Sequence, residues 1–126
     1  VTSETLGIVL LSGTHEHAHF AFSMAAAAAA LGRDVVVFAS GSGCRAMRAD
    51  WSGIEDVGRD AVVRRRGVAG MGELRHAARE TGVRLLACEA GMRAEGIEAA
   101  ELTTGVEVAG LATFLEAVGT GQLISF

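Results

Sequence analysis

Leu6–Leu31 reads LGIVLLSGTHEHAHFAFSMAAAAAAL, and this stretch sets the fold class. Its first part, Leu6–Leu11, is a short and nearly continuous apolar run, the pattern of a strand buried on both faces of a parallel sheet. Ser12-Gly13-Thr14 ends the run, and either hydroxyl can cap the element that follows. From His15 to Leu31 the pattern turns helical, with Phe20, Met24, Ala27 and Leu31 at i, i+4, i+7 and i+11 on one face. Six consecutive alanines, Ala25–Ala30, combine high helix propensity with a slim profile that lets a helix lie close to a sheet. Gly32 stops the helix.

The same alternation continues along the chain. Asp34–Ser40 (DVVVFAS) reads as the second strand, and Gly41-Ser42-Gly43 turns it into a short helix around Cys44–Met47. Ala49–Arg66 shows no clear period. Met71–Thr81 is an amphipathic helix with Leu74 and Ala78 inward, stopped by Gly82. Val83–Cys88 (VRLLAC) is the third strand, followed by a short helix over Glu89–Glu95 that ends at Gly96. Val106–Ala109 is a fourth strand, Leu111–Val118 a helix and Leu123–Phe126 a closing strand. Strands alternating with helices predict an α/β sandwich around a mostly parallel sheet. No repeat or linker divides the chain, so a single domain over residues 1–126 is expected.

Composition narrows the function classes. The 126 residues are half hydrophobic and 21% charged, enough for a real core at this length. Eleven arginines stand against 15 acidic residues, with no lysine and a net charge of −4. Such a chain is a poor candidate for phosphate-backbone binding, so nucleic acid is not an expected partner. Its longest weakly polar stretch, Phe20–Leu31, is well short of the roughly 20 residues a membrane-spanning helix needs. No basic stretch followed by an apolar one opens the sequence, and two cysteines make no disulfide framework. A reducing cytoplasm is the expected location.

In open parallel sheets, ligands bind beyond the carboxyl ends of the strands. Cys88 ends the third strand just before a helix start, where unpaired N–H groups favour the nucleophilic thiolate. Arg93, one turn on, adds positive charge, whereas Glu89 opposes it. The competing reading is a small buried residue closing a strand. Cys44 follows the second strand, and His15, His17 and His19 follow the first. His15 and His19 are one helical turn apart, a spacing that can hold a divalent metal, and His17 points elsewhere. With Cys44 and Cys88 added, two thiols and two imidazoles suit zinc. Gly41-Ser42-Gly43-Cys44-Arg45-Ala46 formally matches a dinucleotide fingerprint, but it follows the second strand and lacks the partnering acidic residue. The glycines read as a tight strand-to-helix turn, and an anion such as thiosulfate or sulfite on the backbone at Gly41 and Gly43, with Arg93 nearby, fits better than a dinucleotide. Arg64-Arg65-Arg66 reads as a solvated face, or as a hold for an anion or an acidic partner. Trp51 and His76 read as packing residues, and the Met and Phe positions as core.

The segment Gly82–Ile97, GVRLLACEAGMRAEGI, resembles the cysteine segment of the DsrE/DsrF family, which includes the TusD-like sulfur-relay proteins. There an apolar strand runs into a Cys, then a short helix, then a Gly followed by an aliphatic residue. The opening strand, the Ala-rich helix, the VVVF strand, the late GVEVAG strand and the closing LISF are similar to the family as well. The resemblance implies an α/β/α sandwich with a five-stranded parallel sheet, assembled as a homotrimer or homohexamer. It places the second strand between the first and third. It also implies that Cys88 carries a persulfide and passes sulfur to a partner protein, with no resident cofactor. Cys44 and one of the three histidines, His15 foremost, are candidate helpers in a thiol relay. Cys44 and the histidine cluster are not features of the relay members. Two other readings accompany this one: a non-enzymatic module binding zinc or another metal at His15, His19, Cys44 and Cys88, and an anion-binding module built on the Gly41–Gly43 turn.

Overall fold

Two β-branched, nearly uncharged runs can hide only in the middle of a sheet, and that is where the chain puts them. The structure, a computed structural model, describes residues 4–126; residues 1–3 of the expected domain lie outside the described residues. Strands β1 (Leu6–Leu10), β2 (Val35–Ala39), β3 (Arg84–Cys88), β4 (Val106–Ala109) and β5 (Gln122–Ser125) form one sheet in the order β4-β3-β2-β1-β5. Every pairing is parallel, and β2 does lie between β1 and β3. All five residues of β2 are buried, whereas every residue of the edge strand β5 is exposed.

Side chains alternate across the sheet, so each strand feeds two cores. Ile8, Leu10, Val37, Ala39, Leu85 and Ala87 join the larger one. Helix α1 (His15–Ala30) covers it, with Ala18, Ala21, Phe22, Ala25 and Ala28 buried against the sheet. Helix α3 (Met71–Glu80) packs beside α1 and adds Met71 and Ala78. On the opposite face Val36, Phe38, Leu86 and Cys88 form the smaller core. There α5 (Leu111–Val118) is the covering helix, through Phe114 and Val118. Phe38 and Phe114 stack with centroids 4.9 Å apart. The result is the expected three-layer α/β/α arrangement.

Four local readings are corrected. The stripe Phe20, Met24, Ala27 and Leu31 shares one face, but that face points outward: Phe20 is 52% and Leu31 82% exposed. The narrow alanines claim the sheet-facing side because they permit the closer approach. The short helix around Cys44–Met47 is a 3-10 helix beginning at Gly41 and ending at Met47. The unreadable stretch contains helix α2 (Arg59–Arg65), and the side chain of its Asp60 is buried. Trp51 does pack against the core, while His76 is exposed, 4.0 Å from Glu80. Arg64, Arg65 and Arg66 are all exposed, and Arg64 pairs with Glu73 at 2.9 Å.

Candidate functional site

Neighbouring strands β3 and β4 end side by side, with Cys88 in register with Ala109. From there the chain departs to opposite faces. After Cys88 it enters α4 (Glu89–Glu95), whose Met92 packs into the larger core. After Ala109 it enters α5, whose Phe114 packs into the smaller core. Such a divergence at the carboxyl ends of adjacent parallel strands opens the crevice in which ligands of this architecture bind. Cys88 stands at that point.

Its local geometry follows from sequence. Cys88 is the N-cap of α4, and its Sγ accepts the Gly91 N–H at 3.3 Å. A sulfur facing the unpaired amides of a helix start gains most when it is a thiolate. Gly91 is required for the approach: a Cβ there would lie 2.5 Å from the Gly41 nitrogen and 2.5 Å from Ser40 Oγ. Cys88 is 7% exposed and makes no disulfide. Beside it a groove of about 360 Å³ runs between α4 and β4, lined by Glu89, Met92, Arg93, Ile97 and Val108 among others.

The other sequence candidates separate. Cys44 is fully buried within the larger core and donates to the Ala39 carbonyl at 3.4 Å. Burial pushes its thiol up to about 11; the Cys88 thiol beside it and Glu95 add to the rise, and the Cys88 peptide N–H opposes it. The structure thus brings Cys44 close to Cys88 but keeps it protonated at neutral pH. Because the neutral form is favoured only in the folded chain, Cys44 stabilises fully below its ordinary value of 9.0, and that contribution disappears as pH rises through about 11. Urea melts at pH 7 and pH 10.5 should therefore differ by more in the native chain than in Cys44→Ala. Equal losses would contradict this assignment.

His15 is not placed to serve either thiol. Its ring is fully buried, and Nε2 donates to Asp60 Oδ1 at 2.7 Å. Nδ1 is buried without a partner, and the ring stacks on that of His19, centroids 5.3 Å apart. His19 Nε2 donates to the Ala69 carbonyl at 2.8 Å, while the exposed His17 Nδ1 accepts from Ser12 Oγ at 2.7 Å. Thr14 is the N-cap of α1, taking the His17 N–H on its hydroxyl. The zinc set His15, His19, Cys44 and Cys88 is not assembled, and among the described residues no three His, Cys, Asp or Glu side chains are grouped to hold a metal. The reason is local: both imidazole Nε2 atoms are engaged, His15 by Asp60 and His19 by the Ala69 carbonyl.

Within the anion set Gly41, Gly43 and Arg93, two members already have partners. The Gly43 N–H already faces the carbonyls of Leu11 and Ser40, each at 3.1 Å. Arg93 is exposed and paired with Glu89 at 3.0 Å, so its charge is balanced away from the sulfur. Asp60 falls in the stretch without a clear period, and the sequence does not mark it as a buried partner of His15. Burial alone would raise its carboxyl, but the Met71 N–H, His15 and Arg64 outweigh that and hold it below the usual carboxylate range. Among the described residues no helix is long and apolar enough to cross a membrane.

The fold has known counterparts. A protein of unknown function from Methanobacterium thermoautotrophicum, MTH1491, aligns over 98% of this chain and 100% of its own, with 19% identity and a TM-score of 0.67. The ychN protein from E. coli aligns over 99% of this chain and 100% of its own, with 14% identity and a TM-score of 0.74. No curated protein matches the sequence. The model of the DsrE/DsrF-like family matches residues 5–126, and with strand order, helix layers and full-length coverage in agreement, the chain belongs to the DsrE/DsrF-like family.

Proposed function

We infer that this protein is a sulfur carrier in which Cys88 accepts sulfane sulfur as a persulfide and hands it to a partner thiol. The observation that carries the reading is the position of Cys88: at the divergence of β3 and β4, with Sγ 3.3 Å from a helix-start N–H. Family membership supplies the association with sulfur relay. The Cys88 thiolate attacks the outer sulfur of thiosulfate, the S–S bond breaks, and sulfite leaves with the bonding pair. The persulfide on Cys88 is then attacked at its terminal sulfur by the thiolate of the partner protein, which regenerates Cys88. The Gly91 N–H at the helix start is a hydrogen-bond donor to the sulfur at both ends of the cycle. The groove along α4 and β4 gives the donor or acceptor protein a surface beside the sulfur. Cys44 stays neutral beside Cys88 and His15 anchors Asp60, so neither carries sulfur in this cycle. We assign a cytoplasmic setting, where free thiols persist, and a homotrimer or homohexamer as the working assembly.

Intact-protein mass spectrometry after incubation with thiosulfate or polysulfide tests this. The expected result is a reductant-reversible gain of one sulfur in the native chain and in Cys44→Ser, and none in Cys88→Ser. Loading of Cys88→Ser at the native level would overturn the proposal.

A further inference from the structure

A second cavity, apart from the groove beside Cys88, lies between α3 and the turn that enters β4. It holds about 200 Å³ and is lined by Gly72, Arg75, His76, Arg79, Leu85 and Thr103. Arg75 and Arg79 are one turn apart on α3, so both guanidiniums reach the same space. No acidic residue lines it.

Six other arginines of this acid-rich chain are matched: Arg45, Arg48, Arg59, Arg64, Arg84 and Arg93 each pair with a glutamate. Arg75 and Arg79 make no ion pair among the described residues. Their partners are neutral. Arg75 Nη1 donates to the carbonyls of Ala46 and Arg48 at 2.7 and 2.8 Å, and Arg79 Nη1 donates to the Thr104 carbonyl. A carbonyl accepts a hydrogen bond but carries no net charge to balance a guanidinium. Two like charges therefore share a partly enclosed space. Burial, and then the Arg79 charge, push Arg75 below its ordinary value. The Nη1 bonds also hold both forks in place, as does Gly105, where a Cβ would lie 2.6 Å from Arg79 Cδ. Arg79 Nη2 has only a long contact of 3.5 Å to His76 Nδ1.

Size and charge select the ligand class. The cavity is smaller than the roughly 300–1,000 Å³ of pockets for drug-sized molecules, so it suits an inorganic ion rather than a nucleotide. A dianion balances both guanidiniums at once, and tetrahedral oxygens match their planar forks. We propose that Arg75 and Arg79, with the Thr103 hydroxyl, bind a small inorganic dianion of the sulfate or phosphate type in this cavity. The site does not involve Cys88 and does not depend on the sulfur-carrier reading. Bound there, the anion ties α3 to the turn before β4, and through Arg75 to the end of the 3-10 helix.

Isothermal titration calorimetry with sodium sulfate, at an ionic strength held constant with sodium chloride, tests this. The chains compared are the native one, Arg79→Gln, His76→Glu and Arg65→Gln, with circular dichroism melts in parallel. His76 is exposed, so His76→Glu should fold, and its carboxylate sits beside Arg79 in the place of the anion. The expected result is saturable binding of one sulfate per chain in the native protein and in Arg65→Gln on α2. Arg79→Gln should weaken binding about tenfold or more, the loss of a charge-assisted hydrogen bond, and His76→Glu should do the same. If Arg79→Gln fails to fold, His76→Glu decides alone. No saturable binding to the native chain, native affinity in a folded Arg79→Gln or His76→Glu, or an equal loss in Arg65→Gln would each overturn the proposal.

Discussion

Asp60→Ala is expected to lower the stability of the folded chain by about 2–6 kcal/mol, the cost of leaving two buried donors without their acceptor. One carboxylate oxygen, Oδ1, accepts from both His15 Nε2 and the Met71 N–H, each at 2.7 Å. Truncation removes the acceptor from two buried donors at once, and each unmatched donor costs roughly 1–3 kcal/mol. The effect should spread, because Asp60 ties α2 to the first turn of α1 and to the start of α3. Asp60→Asn keeps a carbonyl oxygen at the same place and should recover part of the loss. The acid limb carries a further signature. A depressed carboxyl stabilises fully above its ordinary value near 4 and loses that contribution as pH falls below it. Denaturant melts from pH 7 to pH 3 should show a steeper fall in the native chain than in Asp60→Ala. A loss below about 1 kcal/mol at pH 7 would mean that the pair is not holding these elements together.

Gly43→Ala is the second large effect, about 3 kcal/mol, at the upper end of the range for forced overpacking. A Cβ at this position would lie 2.0 Å from the Leu10 carbonyl oxygen, and backbone cannot yield as a side-chain tip does. That same carbonyl accepts the Ser40 N–H at 3.0 Å, so displacing it loosens the end of β1 against β2. The change also reaches the candidate site, since Cys44 follows at once and its thiol lies beside Cys88. Thiol titration with a chromogenic disulfide should show the normally slow Cys44 reacting faster in Gly43→Ala, along with a lower melting temperature. Native stability in this variant would mean that the strand end and the 3-10 helix tolerate more separation than the packing implies.

Both effects bear on what the sequence could disclose. The uninterrupted apolar runs of β1 and β2 are legible because a central parallel strand must be apolar on both faces. The end of β3 and the start of α4 were readable to the residue, and Cys88 is indeed the N-cap. Asp60 was not. Its partner His15 is 45 positions away, and an aspartate between two arginine-rich turns has the composition of a surface residue. Gly43 left both a tight turn and an anion site open, because its sequence is the same whether the N–H faces a ligand or, as here, the carbonyls of Leu11 and Ser40. Arg93 likewise looked available to the thiolate until Glu89 was found to engage it.

Periodicity and glycine punctuation by themselves determined an α/β fold with a mostly parallel sheet, its strand succession and the cysteine that ends a strand before a helix, and the resemblance of the cysteine segment implied the α/β/α layering. These rest on interactions between near neighbours in the chain, which composition and spacing encode directly. Tertiary structure alone decided which face of α1 meets the sheet, because Ala18, Ala21 and Ala25 win that contact by approach distance rather than hydrophobicity. It alone packed Cys44 of the larger core beside Cys88 of the smaller one and enclosed His15 with Asp60. Those outcomes depend on how distant segments share space, and the packing of the whole chain is what settles them.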